Sequence, residues 1–276
     1  MKSKKQKLKI GFIGCGAIGS RLAKSVKQDL KTYCTIAGLY DVIPEKPLSL
    51  ASNLKIEKKL IKKSVTQLIK SCDFIIEAIA STETTKIIRQ VVRAKKNILI
   101  MSVGKVLNAQ DVFKLAKKNQ TNILVPSGAI SGLDVIKSVG ADNISNITLT
   151  TRKPPSGLSQ SDYLTRKGIN IDQIKAETVI FDGTVDQAVE LFPRNINVAA
   201  TIALASGLKN RIRIRIITSP KFKVNSHEIE VYGKFGHLTT RTDNVVCPDN
   251  PKTSYLAVLS AMQTLTQFFN PIKIGT

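Results

Sequence analysis

Gly14, Gly16 and Gly19 stand as GCGAIG directly after the apolar run LKIGFI and directly before AIGSRLAKSVKQDL, whose apolar residues recur at three- and four-residue spacing. That order constrains the fold more than any other feature of the chain. A strand must enter a tight turn and leave it as a helix packed back against the strand. The first glycine permits the turn, the second lets a ligand reach the backbone, and the third lets helix and strand approach closely. Ala17 and Ile18 lead into the helix, where free N–H groups and the positive end of the helix dipole suit a pyrophosphate. A GxGxxG pattern alone is weak, because glycine turns are common. Here TIAGLYD follows as a second strand and ends on Asp41, 22 residues past Gly19. A carboxylate there can accept hydrogen bonds from a ribose 2′-hydroxyl and repel a 2′-phosphate. The pattern reads as a dinucleotide site that favours NAD, with Lys46 close enough downstream to leave NADP open.

The same alternation continues through DFIIEAIA, NILIMSV and TNILVPSG as strands, with PLSLASNL, TETTKIIRQVVRAK and AQDVFKLAKKN as helical segments between them. Five strands joined by crossover helices predict an α/β class fold, a doubly wound Rossmann domain over residues 1–126. Ligands of such sheets sit outside the carboxyl ends of the strands. That nominates Ala80 and Ser81 after the third strand, and Ser102 and Val103 after the fourth.

Beyond Gly128 the pattern changes to period two in NISNITLTTRKPP, ETVIFDGT, RIRIRIITS and HEIEVYGKFGHLTTRTD. These predict a second, α+β domain over 127–249, with a mixed or antiparallel sheet that has one wet face. ISGLDVIKSVG and VDQAVELFPRNINVAATIALASG supply its helices, and PPSGLSQSDYLTRKGIN reads as its most flexible loop. NPKTSYLAVLSAMQTLTQFF reads as one amphipathic helix, which would return residues 250–276 to the first domain.

The chain has 276 residues, enough for two domains, and carries 42 Lys and Arg against 20 Asp and Glu. The resulting net charge of +22 is its unusual bulk property. The basic runs KSKKQK, KIEKKLIKK, RAKK, KLAKK and RIRIR fall in different elements and are not interleaved with aromatics. No nucleic-acid partner is therefore expected, although the field would draw in an anionic substrate or a pyrophosphate. The apolar runs are too short to span a bilayer, and the basic start leads straight into the first strand. A cytoplasmic protein without a membrane partner follows as the expectation. Cys15, Cys34, Cys72 and Cys247 form no CxxC pair and only His227 and His237 are available, so no metal site is expected.

PSGAISGLD, IFDGT, PRNINVAAT, SHEIEVYGKFG and NPKTSYLAVLSAM, taken with GFIGCGAIG, resemble the L-aspartate dehydrogenase family from residue 8 to about residue 263. The resemblance implies an NAD(P)-dependent homodimeric enzyme that oxidises L-aspartate to iminoaspartate, which yields oxaloacetate and ammonia or feeds quinolinate and NAD synthesis. By position it assigns the catalytic histidine to His227 and a nicotinamide-side asparagine to Asn197, with Ala129 and Ser131 in the cofactor segment. Ser131 and Lys105 depart from the small residues the family would place there. Histidine, with an ordinary pKa near ~6.5, suits removal of a proton from the substrate ammonium and later activation of water. Arg194 and Asn195, beside Asn197, are candidates for the substrate carboxylates, with Arg152, Lys153 and Arg241 as further cations. His237 reads as structural, and RIRIRIITS as an edge strand that could serve a dimer. The rival readings are an oxidoreductase of similar layout acting on homoserine or a related acid, and a non-catalytic nucleotide-binding protein.

Overall fold

The computed structural model describes residues 7–158, 162–192, 196–248 and 250–275. The chain divides into two compact units, Met1–Pro126 with Ala261–Lys273, and Ser127–Ser260 with Ile274–Thr276. Among the described residues no helix is long and apolar enough to cross a membrane.

The first unit runs β1 (Leu8–Ile13), α1 (Ala17–Gln28), β2 (Cys34–Tyr40), α2 (Glu45–Asn53), α3 (Val65–Ser71), β3 (Phe74–Glu77), α4 (Thr84–Arg93), β4 (Asn97–Ile100), α5 (Gln110–Asn119) and β5 (Ile123–Leu124). Its five strands are parallel in the order β2-β1-β3-β4-β5. The chain moves from β1 to the edge strand β2 and then returns to the other side of β1, so the order reverses between β1 and β3. A parallel sheet needs cover on both faces, which is why its strands are apolar throughout. Ile10, Phe12, Phe74, Ile76 and Leu99 are fully buried against Leu22 and Val26 of α1. Each such side chain contributes about 1.5–3 kcal/mol of transfer free energy.

Helix α3 was not anticipated from the lysine-rich KIEKKLIKK stretch before it. Ser64 caps it by accepting from the Gln67 N–H at 3.2 Å, and Leu68 and Ile69 are its buried contacts. The sheet makes room for it with glycine. A Cβ at Gly11 would stand 2.6 Å from the Cys72 sulfur and 2.8 Å from Leu68.

The second unit runs α6 (Leu133–Val139), β6 (Ile144–Lys153), α7 (Asp162–Arg166), β7 (Thr178–Thr184), α8 (Val185–Leu191), α9 (Asn197–Ser206), β8 (Ile212–Thr218), β9 (Asn225–Gly233), β10 (Gly236–Asn244), β11 (Val246–Cys247), β12 (Asn250–Ser254) and α10 (Tyr255–Phe269). Its main sheet has the order β10-β9-β6-β8-β7 and is mixed, because β6 and β8 pair in parallel while the other neighbours are antiparallel. One face carries Ile147, Leu149, Ile214, Ile216, Ile229 and Val231, all buried. Helix α9 packs against α6, and its small buried residues Ala199, Ala200 and Ala203 permit close approach.

Three expectations are corrected here. RIRIRIITS is not an edge: β8 is bonded on one side to β6 and on the other to β7. Its alternating Ile and Arg fit an inner strand because Arg213 and Arg215 meet Asp182 of β7 across the polar face, at 2.5 and 3.5 Å. NPKTSYLAVLSAMQTLTQFF begins as strand β12, and its helix starts only at Tyr255. The loop expected to be flexible contains α7, with Leu158 and Leu164 buried and Tyr163 against Phe181 and Phe192. The last turns of α10 belong to the first unit, where Phe268 meets Phe74 edge-on at 5.1 Å and Phe269 stacks on Tyr33 at 5.7 Å.

Candidate active site

At the reversal of strand order in the first unit, the segments leaving β1 and β3 run side by side. The Ala78 N–H donates to the Ile13 carbonyl at 2.8 Å, and the Gly14 N–H to the Tyr40 carbonyl at 2.9 Å. Gly14 has φ +98°, and a Cβ on it would meet the Ala78 oxygen at 2.4 Å. A Cβ on Gly19 would lie 2.0 Å from the Gly14 oxygen. These two glycines are demanded by the protein's own packing. Gly16 is different, since nothing lies within 4 Å of where its Cβ would be and its φ is an ordinary −73°. The space it leaves opens at the N-terminus of α1, where Ala17 and Ile18 carry the first N–H groups of the helix.

That space belongs to a cavity of about 550 Å³ lined by Gly16, Asp41, Lys46, Ala78, Ala80 and Ser81, among others. Asp41 at the end of β2 accepts from the Cys15 N–H at 2.8 Å and from the Ile43 N–H at 3.0 Å, one bond to each oxygen. A carboxylate oxygen accepts more than one bond, so capacity remains for the hydroxyls of a ribose. Lys46 lines the same cavity as Asp41, so both signs of charge border it. The glycine turn, the helix N-terminus and the acid together fit a dinucleotide. The Cys15 thiol within the turn is pushed up to about 12, by burial first and by Asp41 second, and is chemically quiet.

Ser102 follows β4 and is tied to a residue that sequence reasoning missed. Glu77 is fully buried at the end of β3. It accepts from the N–H groups of Ile79 at 2.9 Å, Met101 at 3.2 Å and Ser102 at 3.1 Å, and from the Ser102 hydroxyl at 2.8 Å. Burial raises its pKa, and these donors oppose the rise. Glu77 thus joins the loops after β3 and β4, and Ser102 Oγ also contacts the Ile79 carbonyl. A single acid inside the otherwise apolar DFIIEAIA was the available signal, since carboxylates are rarely buried without dedicated partners. Ser81 turns the chain into α4 by accepting from the Glu83 N–H at 3.1 Å. Val103 is buried in a single helical turn, and Lys105 faces solvent while its carbonyl accepts from Thr85 Oγ1 at 2.6 Å.

In the second unit His227 sits near the start of β9, 7% exposed, on the apolar face of the sheet. It pairs with Thr151 of β6 on one side and with Thr242 of β10 on the other. Its Nδ1 lies 3.0 Å from Thr151 Oγ1, which fixes the ring. Burial, and next the positive charge of Lys153, push its pKa down to about 3. Thr242 Oγ1 and Asn244 Nδ2 both donate to the Ala129 carbonyl, at 2.7 and 3.1 Å, so the GAISGLD segment docks on β10 beside the histidine's strand. Ser131 is exposed and bonds Thr240 Oγ1. Asn197 is exposed in the first turn of α9, and its carbonyl accepts from Thr201 Oγ1 at 2.9 Å. Arg194 and Asn195 lie outside the described residues. His237 stacks on Tyr232 with ring centroids 4.0 Å apart and bonds Thr239 Oγ1 at 3.0 Å, so it has a structural place on the hairpin.

Two family models match the chain. One, described as homoserine dehydrogenase, NAD binding domain, covers residues 14–126, and the other, aspartate dehydrogenase, C-terminal, covers residues 134–268. The L-aspartate dehydrogenase of Methanosarcina mazei is 41% identical over 275 residues, spanning 98% of this chain and 100% of its own length. That of Methanococcus maripaludis is 38% identical over 273 residues, with 98% and 100% coverage. The crystal structure of aspartate dehydrogenase from Thermotoga maritima superposes with a TM-score of 0.75 at 25% identity, covering 98% of this chain and 100% of that one.

Proposed function

The chain belongs to the aspartate dehydrogenase family, and from that premise we propose that it oxidises L-aspartate to iminoaspartate with NAD, His227 serving as acid and base. The observation that carries the reading is His227 itself. It is a histidine withdrawn from water on the apolar face, held at Nδ1 by Thr151 so that Nε2 is left for chemistry.

In the first unit, Gly14, Gly16, Ala17, Ile18 and Gly19 receive the pyrophosphate of NAD, and Asp41 takes the ribose hydroxyls. Ala80, Ser81 and Ser102 would serve the nicotinamide, and the family likeness assigns Ala129, Ser131 and Asn197 to the cofactor as well. NAD, when bound, accepts the hydride from the substrate's α-carbon. For that hydride to leave, the nitrogen must offer its lone pair, so the α-ammonium must first lose a proton. With Nδ1–H donated to Thr151, Nε2 of His227 takes that proton. Once that proton has passed to solvent, the same nitrogen takes a proton from the water adding to the iminium carbon and returns it to the leaving nitrogen, giving oxaloacetate and ammonia; release of the imine instead supplies quinolinate and NAD synthesis. Arg194 and Asn195, adjacent to Asn197, serve the substrate.

The carboxylate of Asp41 favours NAD over NADP, while Lys46 beside it leaves NADP a weaker alternative. We assign the protein to the cytoplasm as a homodimer without nucleic-acid or membrane partners. The dispersed lysines support the first of these absences. Formation of reduced nicotinamide, followed by absorbance with L-aspartate, L-homoserine and other amino acids, tests the substrate. Turnover is expected with L-aspartate, and robust turnover of another acid with none of aspartate would overturn the assignment.

A further inference from the structure

Two basic runs that lie apart in the sequence meet in the first unit. Lys7, the last residue of KSKKQK, and Lys55, the first of KIEKKLIKK, border a second cavity of about 310 Å³ at the starts of β1 and β2. Among the described residues that line it are four lysines, Lys7, Lys27, Lys31 and Lys55, and one acid, Glu57, which Lys59 already engages at 2.5 Å. The Lys27 ammonium donates to the Leu54 carbonyl just beyond α2, which fixes that cation at the cavity. Val26, Ile36 and Ile56 supply an apolar wall, which keeps water from one side and strengthens the field of the lysines. Attraction to the carbonyl ends of α1 and α2 explains Lys27, Lys31 and Lys55 one by one. It does not explain Lys7, which arrives from the strand side, nor the gathering of all four around one concavity.

We propose that this cavity binds a small, multiply charged phosphate anion at a site separate from the cofactor crevice. The ligand class follows from the donor set. Every cation here is lysine, a point donor that meets phosphate oxygens from varied angles, whereas a planar carboxylate is held best by the arginine fork that the lining lacks. A volume at the lower end for ligand pockets, about 300 Å³, suits a short polyphosphate or a phosphorylated metabolite better than a dinucleotide. Helix α1 has 12 residues and is therefore about 18 Å long. It begins at the pyrophosphate crevice and ends here, so the two anion sites occupy opposite ends of one helix. The second site does not depend on which amino acid the enzyme oxidises.

The test is calorimetry of the full chain with NAD saturating the crevice, titrated with inorganic tripolyphosphate at about 0.15 M salt. One saturable site is expected. Lys31→Gln combined with Lys55→Asn should weaken it by about thirtyfold or more, because two charge-assisted contacts are lost. Asparagine suits the φ of +49° at Lys55, so the melting temperature should hold. Lys117→Gln combined with Lys118→Gln removes the same charge from the last turn of α5, outside the cavity, and should leave the affinity within about twofold. NAD affinity and turnover should be unchanged in both pairs. Should the first pair melt early, Lys7→Gln combined with Lys31→Gln is read by the same criteria. Three results overturn the proposal: no tripolyphosphate binding while NAD is present, an equal loss in both pairs, or tighter binding of a single-stranded RNA of equal charge. The anion would then belong to the crevice or to the diffuse field of the +22 charge, or the lysines to a nucleic acid.

Discussion

The crevice of the first unit and the histidine patch of the second are built in opposite ways. The crevice is made of backbone: glycines at Gly14, Gly16 and Gly19, N–H groups at the start of α1, and one acid, all within residues 14–41. The patch is made of side chains, Thr151, Lys153, His227 and Thr242, brought together by strand pairing over more than ninety positions of the chain. A backbone site recognises a common feature, phosphate and ribose, and tolerates changes in nearby side chains. A side-chain site defines one reaction and should fail when one group is lost.

The largest expected effect lies in the patch. His227→Ala should reduce turnover by about a thousandfold, the middle of the range for a lost general acid–base, while calorimetry finds NAD binding nearly unchanged. If turnover survived, the contrast between the two regions would lose its chemical half. Next, the crevice separates glycines that serve the fold from the one that serves the ligand. Gly16→Ala should leave the melting temperature in place, because its Cβ enters open space, yet weaken NAD by about a hundredfold. Gly14→Ala should instead lower the melting temperature, since φ +98° and the Ala78 oxygen at 2.4 Å both oppose a side chain. Equal effects from both variants would show that the crevice is only a packing motif.

The patch also carries a pH signature that the crevice does not share. Below the ordinary histidine value near 6.5 the unfolded chain takes a proton that folded His227 refuses until about 3. Stability should therefore drop as pH falls below 6.5, by about 2 kcal/mol at pH 5, and then level off near 3. Denaturant titrations at pH 7 and 5 should show this drop, and His227→Gln should flatten it. The smallest effect concerns cofactor choice. Asp41→Asn keeps an acceptor but removes the charge, so the preference for NAD over NADP should narrow by about tenfold in kcat/KM.

The contrast also explains what could be read in advance. The strand–turn–helix and Asp41 were legible because the pattern that signals them, a glycine spacing between strand and helix and an acid after the next strand, lies within residues 8–41. The identity of the reaction was legible only through PRNINVAAT and SHEIEVYGKFG as resemblances, since a single strand histidine looks the same whether it is structural or catalytic. Glu77 was visible as an acid in an apolar strand, but its four donors come from the loop after its own strand and from Met101 and Ser102 beyond β4. RIRIRIITS was misplaced because an Ile/Arg alternation states which residues share a face and says nothing about how many neighbours the strand has. Arg152, Lys153 and Arg241 were indistinguishable cations until strand alternation put the two arginines on the polar face with Glu228 and Asp243, and Lys153 on the face of His227.

By itself, the sequence determined the parallel nucleotide-binding unit, the mixed α+β unit after it and the glycines that open the crevice. Periodicity and glycine spacing are patterns written over residues a few positions apart, and such patterns are present in any conformation the chain adopts. Tertiary structure alone decided that β8 is internal, that Glu77 ties two loops, and that Lys153 shares a face with His227. Those facts depend on which strands hydrogen-bond to which, and register is set by the burial of whole faces at once.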